Sequence, residues 1–404
     1  MAMRRSNPDD GLDPFCKQRD FSLFAGGLFE FLRRRTPPYR DDRFRDIVAI
    51  FIPTLAWLPL LVLAALEGHL FRGSVATPFL TDLEVHVRLL VALPLLIAAG
   101  EIADQRMRPL LHQFIAESLV PNDAMPQFEA AVTSAFRLRN SVLGAALLIA
   151  FVYGVGILVI WRQYVALDTA SWYATSTTQG SVLSLAGIWY AFVSLPIFQF
   201  VLCRWYFLLF IWARFLWQIS RIRLSLIPTH PDRMGGLGFL SEATRALIVF
   251  AVAHGALLAG WLATRVVFLG ASLTEFKGEI AAIVFFVLCV ALGPLLVFAT
   301  PLKEARRQGL RDYGTLAMRY VREFDAKWLH GGTHSKEPLI GSADIQSLAD
   351  LGSSYNLVRS MRTTPITQQV VLRFVAATLL PVLPLLLTMM SLEALVKKLV
   401  GILF

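Results

Sequence analysis

IVAIFIPTLAWLPLLVLAAL, Ile47 to Leu66, is an uncharged run of twenty residues, and it decides the fold class. About 20 residues at about 1.5 Å of helical rise cross about 30 Å of hydrocarbon. Inside lipid every backbone polar group must be paired within the segment, so a run of this kind is read as a transmembrane helix. Pro53 and Pro59 are expected to bend it, which packing neighbours tolerate. The rest of the chain follows suit: 56% of its 404 residues are hydrophobic and the mean hydropathy is +0.58, well above ordinary soluble usage.

Working outward, further spans are expected at Val85 to Ile102, Ser141 to Trp161, Val182 to Leu202, Ala246 to Thr264, Ile280 to Leu302 and Phe374 to Leu392. The fold class is thus all-α, a polytopic transmembrane bundle of about seven spans with cytoplasmic helical insertions. Arg88 and Glu101 bracket the second span; Arg88 is expected to snorkel outward, while Glu101 needs a partner, water or a proton. The closing segment SLEALVKKLVGILF is short and charged and reads as an interfacial helix. Near the start, Phe21, Phe24, Leu28, Phe31 and Leu32 recur at helical spacing before Arg33, Arg34 and Arg35. That segment fits either a membrane-surface helix or a short helix packed on the cytoplasmic face. No cleavable signal peptide is expected.

The net charge is +9, and its distribution explains it without nucleic acid. With the N-terminus inside, alternate loops place 31 of the 38 Lys and Arg residues on one side, the bias expected of cytoplasmic loops. Anionic lipid headgroups are the implied partner of that charge. Cys16, Cys203 and Cys289 are too scattered for a disulfide framework or a cysteine zinc site. No cofactor and no metal is called for.

The resulting organisation is a tail over 1–46, a six-span region over 47–302, an insertion over 303–373, and a seventh span with its tail over 374–404. The six-span region carries an insertion at 103–140, read as two amphipathic helices broken at Val120-Pro121-Asn122-Asp123. The 303–373 insertion begins as a basic helix ended by Gly331 and Gly332. It resumes as a second helix capped by Ser342 and stopping before Pro365. His330 and His334 are separated by those glycines, so their four-residue spacing does not converge two metal ligands.

Chemistry is sought first in the 204–245 stretch. A helix from Ser184 to Leu226 would carry Arg204, Arg214 and Arg221 with Trp205, Trp212 and Trp217 at the cytoplasmic boundary. Those arginines either hold lipid phosphate or form a basic vestibule to a passage. The loop that follows holds His230, Asp232, Arg233, Gly235, Gly236 and Gly238, with Ser241 as the expected cap of the next span. Glycine-rich backbone before a helix cradles phosphate in other settings, although neither the Walker pattern nor the dinucleotide fingerprint is present. His254 inside the fifth span reads either as a neutral helix-contact residue or, paired with Glu101, as a proton relay.

THPDRMGGLGFL and the later IGSADIQSLADLGSSYNLVRSMRTTPI resemble a group of bacterial multi-span membrane proteins without an assigned activity, sharing an HPDxxGGLGFL-type loop and an SADIQSLADL-type segment. The resemblance implies a bacterial cytoplasmic (inner) membrane and carries no catalytic residues. Three functions are therefore entertained. The first is a passage or binding site for a small ion or solute using Glu101, Arg204, Arg214 and His254. The second is a membrane-anchored scaffold whose insertions bind a cytoplasmic protein partner. The third is an enzyme acting on a lipid or phosphate headgroup at His230 and Asp232.

Overall fold

A computed structural model describes residues 41–71, 75, 77–156, 171–177, 180–268, 270–330 and 343–388. The expected helices over 21–32 and 391–404, the caps Gly331, Gly332 and Ser342, and His334 lie outside the described residues. Nine helices are named here in chain order: α1 Asp41–Leu66, α2 Leu83–Ala116, α3 Met125–Arg139, α4 Val142–Phe151, α5 Leu185–Arg221, α6 Gly238–Phe268, α7 Leu273–Trp328, α8 Ala343–Arg359 and α9 Gln368–Thr388. Short 3₁₀ or π segments are included in α2, α5, α6, α7 and α9.

Six of them, α1, α2, α5, α6, α7 and α9, are long and apolar enough to cross a membrane. A seventh is added if α3 and α4, bent by 46° at their junction, count as one span. The bend has a local cause. The Ser141 hydroxyl accepts the Gly144 N–H at 3.1 Å and starts α4 as a new helix, as a cap does. Large apolar side chains point outward from the spans, among them Leu66, Val142 and Phe285. A bilayer is the solvent in which such a surface is stable.

The expected start of the fourth span needs one correction. Ala174–Thr177 (β1) and Gly180–Leu183 (β2) pair antiparallel, so Val182 begins no helix. The fourth span starts later because Ser184 caps it, its Oγ accepting the Gly187 N–H at 2.9 Å. Glu67, at the end of α1, supplies a second cap by accepting the Leu185 N–H at 2.7 Å and the Ala186 N–H at 3.3 Å. A carboxylate there meets unpaired donors and the positive end of the helix dipole.

The sixth span and the basic helix expected after it are continuous: α7 runs 56 residues. At about 1.5 Å per residue this is about 84 Å, more than twice the hydrocarbon thickness. The distal half, from Lys303 onward, therefore projects from the bundle. α8 folds back along it, joined by Tyr320 Oη donating to Asp344 O at 3.0 Å, Lys327 Nζ to Asp344 Oδ2 at 2.7 Å, and Trp328 Nε1 to the same oxygen at 3.1 Å.

One apolar cluster joins α1, α2, α3, α5, α6, α7 and α9. α6 crosses α9 closely, where a Cβ at Gly255 would lie 2.0 Å from Thr378 O. Without a hydrophobic driving force between helices in lipid, close backbone approach at small residues supplies the packing.

Candidate functional site

The loop from Pro228 to Gly238 is a knot around one carboxylate. Asp232 accepts the Met234 N–H at 2.7 Å and the Gly238 N–H at 2.8 Å, and Gly236 N lies 3.1 Å from its Oδ2. Arg233 and the glycines Gly235 and Gly236 have positive φ values of 57°, 65° and 97°. That curls successive N–H groups inward, the geometry of an anion nest. The nest is filled by the chain's own carboxylate. The same carboxylate caps α6, which explains why that helix starts at Gly238 rather than after Ser241, the expected cap, which is buried in the first turns.

Burial alone would raise the Asp232 pKa. The N–H groups of Met234 and Gly238, the His230 ring and the Gly236 N–H outweigh it, and the carboxyl lies below its ordinary value. His230 Nδ1 is 2.8 Å from Asp232 Oδ1, and its Nε2 is 3.9 Å from Glu117 Oε2 at the end of α2.

The knot also ties distant elements together. The Arg362 N–H donates to Arg233 O at 2.7 Å, and the Ser225 N–H to Leu119 O at 2.8 Å. A Cβ at Gly236 would meet Leu119 Cδ2 at 2.9 Å, and one at Gly309 of α7 would meet Pro228 Cβ at 2.6 Å. The α2–α3 turn, α7, the chain after α8 and the start of α6 thus converge on this loop. His230, Asp232, Arg233, Gly235, Gly236 and Gly238 are gathered at one place, as a structural junction.

The residues put forward for a passage are held apart by separate contacts. His254 Nδ1 lies 2.9 Å from Phe250 O and Nε2 lies 2.8 Å from Tyr206 Oη. A carbonyl can only accept, so Nδ1 carries the proton and Nε2 accepts from the tyrosine. Both nitrogens of His254 are thus engaged within α5 and α6, and Glu101 Oε1 accepts from Gln105 Nε2 at 3.0 Å. Arg214 donates to Ser134 Oγ at 3.0 Å and fastens α5 to α3. Arg204 lies in reach of the like charge of Arg139 at the α3–α4 bend. Between α2, α5 and α6 the space is packed by Trp205, which donates to Leu96 O at 2.8 Å, and by Phe250.

Sequence reading missed a polar and aromatic cluster at the opposite end of the bundle. Arg88 pairs with Glu84, donates to Tyr190 Oη, and lies over the Phe198 ring at 5.8 Å. Beside it Trp172 Nε1 donates to Asp82 Oδ2 at 3.0 Å and Trp57 Nε1 to His86 Nδ1 at 3.0 Å. The available signal was the alternation in TDLEVHVR, 81–88, which places Asp82, Glu84, His86 and Arg88 at every second position. Its partners come from α1, α5 and the hairpin region, so spacing along one segment did not reveal them.

An open groove of about 950 Å³ lies on the projecting hairpin, along α7 from Leu310 to Glu323 and reaching Tyr355 of α8. Among the described residues no group of three or more His, Cys, Asp or Glu is placed to hold a metal ion. In comparisons with protein-family models, with curated proteins and with solved structures, nothing matches the chain.

Proposed function

We propose that the protein is a membrane-anchored docking platform, whose α7–α8 hairpin presents a binding surface to a protein in the cytoplasm. The observation that carries this reading is the 56-residue α7, whose last part is α-helical from Ala299 to Trp328, a mount that starts inside the bundle and ends far beyond it. The positive loop charge supports a cytoplasmic hairpin side, the resemblance of the THPDRMGGLGFL loop supports a bacterial inner membrane, and the arginines near the boundary, Arg204 and Arg214 among them, engage anionic headgroups or neighbouring helices. The loop around Asp232 fixes the angle of the hairpin relative to the spans.

The passage reading has less support, because Glu101, Arg204, Arg214 and His254 take part in separate packed contacts. The headgroup-enzyme reading has less as well, because Asp232 already fills the backbone nest a phosphate would use.

The test uses the full chain in native membranes with a photo-crosslinking residue at Met318 or Leu316, and at Leu147 in the bundle as control. A discrete protein adduct at the hairpin positions, missing at the control, is expected, together with no ion flux from reconstituted liposomes. Flux without hairpin adducts overturns the proposal.

A further inference from the structure

The hairpin groove has a composition that specifies its occupant, and this inference rests on the docking role proposed above. Leu310, Met318 and Val321 lie in it, eight and three residues apart, on one helix face with Gly314 between the first two. Met318 is 57% exposed and Val321 39%, a high exposure for apolar groups held on a projecting element outside the bundle. Gly314, with its Cβ position 3.6 Å from Tyr355 Cε2, keeps the floor low. Along the rim stand Arg311, Arg319 and Arg322; Arg319 Nε is 3.0 Å from Glu323 Oε1 and Arg311 is 3.8 Å from Glu304, exposed ion pairs of the weak surface kind that a partner's carboxylates can share or displace. We infer that this groove receives an acidic amphipathic helix of a cytoplasmic protein, its apolar face on Leu310, Met318 and Val321 and its carboxylates on the three arginines.

Three physical points favour that occupant. From Leu310 to Glu323 is about 20 Å of helix, the length of a helix of about four turns, and helices recognised in grooves present their anchors at the same spacing. A second copy of the hairpin would bring the same arginines face to face, which charge repulsion disfavours. The far end of the groove is out of range of the membrane surface: Arg319 and Arg322 lie about 25 and 30 Å beyond Leu302 along α7, while headgroups extend about 5–8 Å beyond the hydrocarbon and charges in physiological salt are screened over about 8 Å. Those two arginines therefore serve a soluble partner, and they make its association fast and salt-sensitive.

The experiment takes the full chain in nanodiscs of zwitterionic lipid and titrates two fluorescent fourteen-residue synthetic helices by anisotropy, one built from Leu and Glu, the other from Leu and Lys in the same pattern. The Leu/Glu helix is expected to bind saturably in the micromolar range, and the Leu/Lys helix at least tenfold more weakly. Arg319→Glu with Arg322→Glu, and separately Met318→Asp, should each weaken the Leu/Glu helix at least tenfold, while Ile345→Asp on α8 leaves it unchanged. All four sites are exposed, and unchanged thermal unfolding shows that the variants are folded. Equal binding of the two helices, or unchanged binding to the double arginine variant, overturns the assignment. Hairpin adducts that persist under saturating Leu/Glu helix also overturn it, yet leave the docking role standing; loss of adducts on adding that helix supports both.

Discussion

Asp232 concentrates the physics of the junction. Three backbone donors and one imidazole converge on its carboxylate, and each hydrogen bond to a charged group contributes about 1.5–3 kcal/mol when its loss leaves the donors unpaired. Asp232→Ala should lower unfolding stability by about 2–3 kcal/mol, measured by denaturant titration in detergent. The sign with pH follows from the depressed pKa. The stabilisation is fully present above the unfolded carboxyl value of about 3.9 and is lost as pH falls through the lower folded value. The gap between wild type and Asp232→Ala should therefore stay constant from pH 7 down to about 5 and close below about 4. A gap that persists at low pH would show that the carboxylate charge is not what holds the loop. Tyr206→Phe tests the second residue of interest: it strips His254 Nε2 of its donor in a buried site, at a cost of about 1–3 kcal/mol. A proton relay predicts a change in flux from this variant, a helix contact only the stability loss.

At the scale of elements, caps and close crossings decide where helices start and how near they lie. Glu67→Ala removes the carboxylate from the first turn of α5 and should cost about 1–2 kcal/mol, with Glu67→Gln losing less than Glu67→Ala. Gly255→Val forces α6 and α9 apart, because even one carbon at that position meets Thr378 O at 2.0 Å. The expected cost is about 3 kcal/mol or more, at the upper end of overpacking effects. An unchanged melting temperature for Gly255→Val would mean that the crossing is not tight. Six of the spans were legible in the chain because a run of about twenty apolar residues in lipid is met by a helix. The start of α5 was misplaced by three residues, since Val182 and Leu183 are as apolar as the helix they precede and only their pairing with β1 separates them.

For the whole molecule, the arrangement predicts two faces. In a background lacking the native cysteines, a cysteine at Met318 and another at Val182 should react with a membrane-impermeant maleimide from opposite sides, the first only after the membrane is opened. Labelling of both from the same side would refute the topology. Apolar length determined by itself that this chain builds a bundle of membrane-crossing helices, because the requirement to pair every backbone group in hydrocarbon is local to each segment. Lys and Arg placement likewise set an orientation to test. Whether His254 meets Glu101 or Tyr206, whether the loop glycines face a ligand or Asp232, and whether α7 stops at the membrane or continues were decided only in three dimensions. Those outcomes depend on groups brought together from segments more than about a hundred residues apart, such as Trp205 and Leu96, and on the continuity of one helix across a change from apolar to charged sequence. Composition marks that change as a boundary, whereas the hydrogen-bonded backbone, which is indifferent to side-chain polarity, runs straight through it.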